Sequence, residues 1–183
     1  MHWKTLETKS VEKNSYLEVT KNKCEKPNGD IVEEYYVVKR PDVAIIIAFT
    51  EKMELVMVYQ YRFPVNSIDF EVPAGYAEPN ENEMVKAAER ELLEETGYKS
   101  ESLKEIKIAY ASSGLMNSNV HFFIGLNAKK VQEINLDQNE ELEVKVLPWK
   151  EALQLYEDNK IKDLGSITAI LIAKKYLEEN EIK

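Results

Sequence analysis

The spacing of apolar and polar positions changes several times along the chain, and each change predicts a different element. Residues 43–49 form a continuous apolar run and 55–61 nearly so; the polar Thr50-Glu51-Lys52 between them predicts two buried strands joined by a turn. Upstream, residues 16–24 and 31–38 are rich in strand formers and flank Asn28-Gly29, a strong signal for an antiparallel hairpin. Pro41-Asp42 marks a break between these two regions. From 82 to 96 the β-branched residues give way to Ala, Leu and Glu, which predicts a helix with Gly97 as its C-terminal cap. Residues 106–110, 120–126 and 142–147 read as further strands. A helix follows from Pro148, with Trp149, Ala152, Leu153 and Tyr156 on one face, and a last one follows Ser166 as its N-cap. Strands and helices that alternate from residue 43 onward predict an α/β fold, a sheet packed between helices.

Composition narrows the class. With 183 residues the chain has room for one ordinary domain plus a small appendage. Its 24 Lys+Arg against 33 Asp+Glu give a net charge of −9, which argues against nucleic acid held by basicity alone. A phosphate-bearing substrate would therefore need an attraction other than net charge. The single Cys24 cannot form an internal disulfide, the first ten residues lack the apolar core of a secretory signal, and no run approaches a membrane span. These features predict a reduced, cytoplasmic setting with no membrane partner.

The predicted helix at 82–96 concentrates the chemistry. Glu91, Glu94 and Glu95 are three and four residues apart, so their carboxylates project from neighbouring positions on one side. They also stand at the negative end of the helix dipole, and Glu91 with Glu95 is a like-charge i,i+4 pair. Arg90 is the nearby cation, and one guanidinium does not compensate three carboxylates. Two readings are open: a solvated acidic face, or a site for a divalent cation such as Mg²⁺ or Mn²⁺, whose hard-oxygen preference these groups suit.

The residues around these glutamates are more specific than their spacing. Gly75, Glu81 and the run Arg90-Glu91-Leu92-Leu93-Glu94-Glu95-Thr96-Gly97-Tyr98 resemble the signature of the Nudix hydrolases. That pattern is a Gly, five residues, a Glu, seven residues, Arg-Glu, an aliphatic, any residue, Glu-Glu, any residue, Gly and an apolar residue. Residues 90–98 meet every specified position. Counted back from Arg90, the Gly is expected at 76 and the Glu at 82, whereas Gly75 and Glu81 each stand one place earlier; a one-residue insertion in the loop 76–80 is the simplest account. Gln60-Tyr61-Arg62, Phe70-Glu71-Val72-Pro73-Ala74-Gly75, Ser112-Ser113-Gly114-Leu115, Trp3-Lys4-Thr5-Leu6 and Tyr35-Tyr36-Val37-Val38-Lys39-Arg40 are similar to the ADP-ribose/nucleoside-diphosphate-sugar pyrophosphatase branch of that family.

The resemblance implies an α/β/α sandwich with a mixed sheet at 42–183 and a small antiparallel β subdomain at 1–41 that serves dimerisation and substrate contact. It implies a homodimer, Mg²⁺ or Mn²⁺ as cofactor, and hydrolysis of a nucleoside diphosphate sugar. Glu91, Glu95 and the carbonyl of Ala74 would ligate the metal, with Glu94 in or beside the shell and Arg90 orienting the carboxylates. Arg62, Glu71 and Arg40 would contact the diphosphate and sugar, and Tyr35 or Tyr36 would stack on the base. A base that activates water is expected in the acidic loop before residue 142, at Glu140 first and Glu141 second, because Ser118 occupies the alternative position. His121 is read as structural or at the edge of the site. Other expectations keep the chemistry and change the substrate (GDP-mannose, a dinucleoside polyphosphate, a capped RNA), or keep the fold as a nucleotide-sensing module without turnover.

Overall fold

The computed structural model describes residues 1–79, 81, 83–136 and 141–182, and contacts divide them into two units. One comprises Met1–Asp42 with Ala109–Val120, the other Val43–Ile108 with His121–Lys183. The segment Ala109–Val120, expected within the second domain on sequence order, clusters with the amino-terminal strands.

In the first unit, β1 (Lys4–Lys13), β2 (Glu18–Glu25) and β3 (Ile31–Lys39) form an antiparallel sheet in chain order. The β2–β3 turn falls where Asn-Gly predicts it. Gly29 has φ +87°, the left-handed conformation such a turn demands, and its N–H donates to Lys26 O at 2.9 Å. The resemblance places residues 1–41 in an antiparallel β subdomain, but hydrophobic patterning marks no strand at β1. All ten of its residues are exposed, so no alternation of buried and solvated positions betrays it; backbone pairing with β2 defines it.

The second unit contains β4 (Val43–Thr50), β5 (Glu54–Arg62), β6 (Ser67–Glu71), β7 (Ala74–Tyr76), α1 (Met84–Thr96), β8 (Tyr98–Lys99), most of β9 (Leu103–Tyr110) and β10 (Asn119–Lys130), β11 (Leu142–Pro148), α2 (Trp149–Glu157) and α3 (Leu164–Glu179). The main sheet runs β11-β5-β4-β10-β8, with β6 beside β5, β7 beside β4 and β9 beside β10. β4 explains why its sequence is apolar throughout. Ala44, Ile46 and Ala48 pack with Ala87, Ala88 and Leu92 of α1. The alternate residues face the other way, where the Ile45 side chain meets Gly165 of α3 and Phe49 meets the Trp149 ring of α2 edge-on at 5.2 Å. A strand buried on both faces loses the polar alternation of a half-exposed one. The result is the expected α/β/α layering, α1 on one side and α2 with α3 on the other.

Helix ends show where local signals prevailed and where they did not. α1 closes at Gly97, whose φ is +74° and whose N–H donates to Leu93 O at 2.9 Å. It opens at Met84 after Glu83 as N-cap, and the expected start, Asn82, lies outside the described residues. The cap of α3 is a correction. Asp163, not Ser166, is the N-cap, and its Oδ2 accepts the Ser166 N–H at 2.6 Å; Ser166 is the third helical residue and is buried. Both residue types cap well, and the choice followed from what the serine hydroxyl does elsewhere. Among the described residues no helix is long and apolar enough to cross a membrane.

Replacing Gly97 by Ala tests the first of these ends. A β-carbon there would overlap the carbonyl oxygen of Gln132 as well as force a side chain into positive φ. Gly97→Ala is expected to lower unfolding free energy by at least about 1–3 kcal/mol, read from the shift in urea midpoint; an unchanged midpoint would refute this account of the cap.

Candidate active site

On α1 the core-facing stripe consists of Ala87, Ala88, Glu91, Leu92, Glu95 and Thr96. Two of its members are glutamates, which ordinary amphipathic patterning would replace with Leu or Ile. Glu91 is 9% and Glu95 3% exposed. Burying carboxylates costs several kcal/mol unless bonds or charges offset it, so their surroundings are decisive.

Those surroundings come from the turn between β6 and β7 and from Arg90. Oε2 of Glu95 accepts the Ala74 N–H at 3.1 Å. The Glu91 carboxylate lies against Gly75, where a β-carbon would overlap it, so this glycine is required by close approach and not by its dihedral angles. Arg90 spends all five of its N–H donors nearby. Nε donates to Glu81 Oε1 at 2.9 Å, Nη2 to Glu81 Oε2 at 3.2 Å and Tyr76 O at 2.9 Å, and Nη1 to Glu91 Oε1 at 2.7 Å and Glu94 Oε2 at 3.1 Å. Hydrogen bonds from Arg90 hold the Glu81 carboxyl below its ordinary range, against burial, which pushes it up; the Glu78 N–H adds to the lowering. Glu81 in turn raises the Arg90 guanidinium further above its usual value. Within this cluster one guanidinium bonds three carboxylates, Glu81, Glu91 and Glu94, while Glu95 is held by the Ala74 N–H.

The Glu81–Arg90 pair also relocates the sequence irregularity. Five residues separate Gly75 from Glu81, as the pattern requires, and eight separate Glu81 from Arg90 where seven are expected. The extra residue therefore lies after Glu81, toward the start of α1, and not in 76–80 as expected above. The ion pair forms despite it.

A second pair stands on β5. Val56 packs against α1, and by strand alternation Val58, Gln60 and Arg62 share its face. Arg62 Nε donates to Glu71 Oε1 at 2.8 Å and its Nη2 to Glu71 Oε2. The resemblance assigns both to substrate; the structure joins them to each other. Glu71 is 4% exposed and committed to Arg62, whose guanidinium remains partly open to solvent. Bonding to Glu71 raises the Arg62 pKa, with smaller contributions from the charges of Glu95 and Asp163. Gln60 belongs to the Gln60-Tyr61-Arg62 run. Its side-chain Oε1 is buried without a hydrogen-bond partner among the described residues.

The remaining expected residues fall elsewhere. Tyr35, Tyr36 and Arg40 belong to the first unit. Tyr35 packs edge-on against Trp3 at 5.9 Å and donates its hydroxyl to Gly114 O at 3.2 Å; Tyr36 is exposed and donates to Glu34 Oε2. Glu140 lies outside the described residues, and Glu141 is exposed just before β11, where Leu142 stands opposite Gln60. His121 Nδ1 meets Glu105 Oε1 at 3.1 Å, a pairing between β10 and β9.

The donor set suits a hard divalent cation. Among the described residues no three Asp, Glu, His or Cys side chains stand close enough to hold an ion unaided. Two carboxylates with main-chain and ligand oxygens to complete the shell is the manner in which Mg²⁺ is commonly bound.

Comparison with known proteins bears on this arrangement. Residues 38–165 match the family model described as the NUDIX domain. The chain is 32% identical over 184 residues to the ADP-ribose pyrophosphatase of Bacillus subtilis (strain 168), covering 97% of this chain and 96% of that protein. It is 31% identical over 179 residues to the methanol dehydrogenase activator of Bacillus methanolicus, covering 97% and 94%. A GDP-mannose pyrophosphatase of Yersinia enterocolitica is 28% identical over 158 residues, covering 80% and 81%. A crystal structure of an ADP compounds hydrolase superposes with TM-score 0.86 at 19% identity over 100% of this chain and 98% of that one, a likeness of fold.

The Glu81–Arg90 bond makes a signed prediction. A carboxyl held below its ordinary pKa of 4.5 contributes stability that is present above that pH and lost as pH falls through the folded-state value. The gap in unfolding free energy between the parent and Glu81→Gln should therefore be constant near neutrality and shrink in acid. Urea melts from pH 7 downward check it; a gap independent of pH contradicts the pairing.

Proposed function

The chain belongs to the NUDIX domain family, and on that premise we propose that it is a Mg²⁺-dependent pyrophosphohydrolase, with Mn²⁺ as an alternative metal, that cleaves ADP-ribose or a related nucleoside diphosphate sugar into a nucleoside monophosphate and a sugar phosphate. The observation that carries this reading is the pair Glu91 and Glu95, two glutamates on the core-facing stripe of α1 whose cluster holds more carboxylate than Arg90 neutralises. Nudix hydrolases are generally dependent on divalent metals. The similarity to the Bacillus subtilis ADP-ribose pyrophosphatase over nearly the whole chain supports the substrate class.

The family resemblance assigns the roles, and the contacts of Arg90 and Arg62 support part of them. Glu91 and Glu95, with the Ala74 carbonyl, would hold the cation, which when bound neutralises phosphoryl charge and acidifies water. Arg90 fixes the orientation of Glu91 and Glu94 through its Nη1 bonds. Arg62, steadied by Glu71, presents a charged donor to a diphosphate, and the unpaired Gln60 oxygen offers an acceptor to a hydroxyl or bound water on the same face. In the reaction the water oxygen forms a bond to phosphorus, the bridging P–O bond breaks, and the water proton passes to a carboxylate; Glu140 is assigned that base and Glu141 the second candidate. Arg40 and Tyr35 or Tyr36 are assigned to the sugar and base, contributed within a homodimer. The wholly exposed β1, beside Trp3 at 47% exposure and with Leu6 and Val11 uncovered, is the surface expected to meet the second copy. The setting is the reduced cytoplasm, in keeping with the lone Cys24.

A regulatory or nucleotide-sensing role without turnover has one observation in its favour, the similarity to the methanol dehydrogenase activator. The two buried carboxylates Glu91 and Glu95 weigh against it, since a pure binding module gains nothing from a like-charge i,i+4 pair on the core-facing stripe. GDP-mannose, supported by the Yersinia relative, is the principal competing substrate.

Two measurements test the proposal. Product release from ADP-ribose, ADP-glucose, GDP-mannose and NADH with Mg²⁺ should favour ADP-ribose. Glu95→Gln should lose several orders of magnitude of turnover, and Glu140→Gln about 10²-fold or more in kcat with little change in KM. Full activity in both variants would show the site to be misplaced. Sedimentation equilibrium should give twice the chain mass of 21.2 kDa, and a monomer at micromolar concentration would remove the dimer from the account.

A further inference from the structure

The turn between β6 and β7 consists of Val72 and Pro73 and leads directly into Ala74 and Gly75. Its hydrogen bonds can be followed one by one. Pro73 has no N–H, and its carbonyl accepts from Ile46 N of β4 at 2.9 Å. The Ala74 N–H goes to Glu95. The Val72 N–H goes to the hydroxyl of Ser166 at 3.1 Å, across 94 residues of sequence. Ser166 is 1% exposed.

Ser166 is itself held from two sides. Its N–H is capped by Asp163 Oδ2, and Asp69 Oδ2 on β6 accepts the N–H groups of Lys162 and Asp163 at 2.9 and 2.8 Å. Gly165 lets the first turn of α3 approach β4 closely, because a β-carbon there would stand 2.7 Å from Ile45 Cδ1. Ile45 is the β4 residue paired with Ala74. The start of α3 thus grips the strand at Asp69 and the turn at Val72, with Glu71 between the two grips.

From these contacts we infer that the Asp163–Ser166 turn of α3 is a clamp that sets the position of Ala74 and Gly75 beneath the α1 carboxylates, and that Ser166 is a positioning residue for the cation site. It does not touch the reacting groups. Of the two side-chain bonds to N–H groups of the turn and of the strand it leads into, the one at Ala74 uses Glu95, a carboxylate assigned to the cation; the Ser166 bond at Val72 is independent of that duty. Without it, Val72 would keep a buried N–H with no acceptor, and the turn would shift to find one. The cation part of the inference rests on the assignment of Glu91, Glu95 and Ala74 made above.

The test uses the full chain and two readouts. In metal-free protein, Ser166→Ala should speed hydrogen exchange at the Ala74 and Gly75 amides at least tenfold while Ile47 and Phe123 in the sheet stay as in the parent. Mn²⁺ binding followed by electron paramagnetic resonance should weaken about tenfold in Ser166→Ala and in Asp69→Ala, and Asp69→Asn, which keeps an acceptor oxygen, should recover most of it. Substrate KM at saturating Mn²⁺ should stay near the parent value. Unchanged exchange at Ala74, exchange that rises equally throughout the sheet, or faster exchange with parental Mn²⁺ affinity would each overturn the inference. Absence of Mn²⁺ binding in the parent would instead overturn the cation assignment, and with it the cation role of Ser166; the exchange data alone would then decide whether the clamp exists.

Discussion

The carboxylates of the candidate site are organised around one guanidinium, Arg90, that bonds three of them. Arg90 has five N–H donors and uses all of them, four on glutamate oxygens and one on the Tyr76 carbonyl. This network is geometrically complete and electrostatically incomplete. It fixes where Glu81, Glu91 and Glu94 stand, yet leaves the cluster negative at the end of a helix whose dipole already disfavours anions. A fold held together for stability alone would replace Glu91 and Glu95 with leucines, since the Ala87 and Ala88 positions on the same stripe are fully buried. Retaining them fits a function that supplies positive charge from outside.

Precision in such a site depends on the backbone opposite the carboxylates. Here that backbone is a two-residue turn with a proline in it; a side chain takes its one N–H, at Val72, and another takes the N–H of Ala74 that follows. A turn of this kind has no ladder of its own to stiffen it, so its position is inherited from β4, α1 and α3 together. β4 and α1 at Ala74 and Gly75, with α3 at Val72 just before them, convert ordinary packing into a defined height for the strand under Glu91 and Glu95. The close approaches at Gly75 and Gly165 show how little room is left on either side.

The pairing of Arg62 with Glu71 changes how those residues are understood. Each alone looks like a group that reaches for a ligand. Together they form a half-buried charged pair in which Glu71 orients the cation and Arg62 keeps an open edge. Such a pair is poor evidence for stability, since its desolvation offsets much of its attraction, and better evidence for a cation that must point one way.

The layering of the fold was legible in the linear pattern because its causes are local. An apolar run at β4, a Glu- and Ala-rich stretch ended by Gly97, and Asn28-Gly29 between strand formers each state their conformation within about ten residues. The same holds for the carboxylates, whose common side of α1 follows from a helical period of 3.6. Strand β1 has no signature in the hydrophobic pattern because its exposed residues carry no burial signal, and the α3 cap is ambiguous in sequence because Asp163 and Ser166 are equally good caps until Val72 claims the serine hydroxyl. The bonds of Arg90 to Glu81 and the Tyr76 carbonyl, the Arg62–Glu71 bond, the burial of the Gln60 oxygen and the hold of Ser166 on the turn were decided by tertiary structure alone. Each depends on atoms brought together by the sheet from distant parts of the chain, and no periodicity records which of several chemically suitable partners the folded backbone will place within 3 Å.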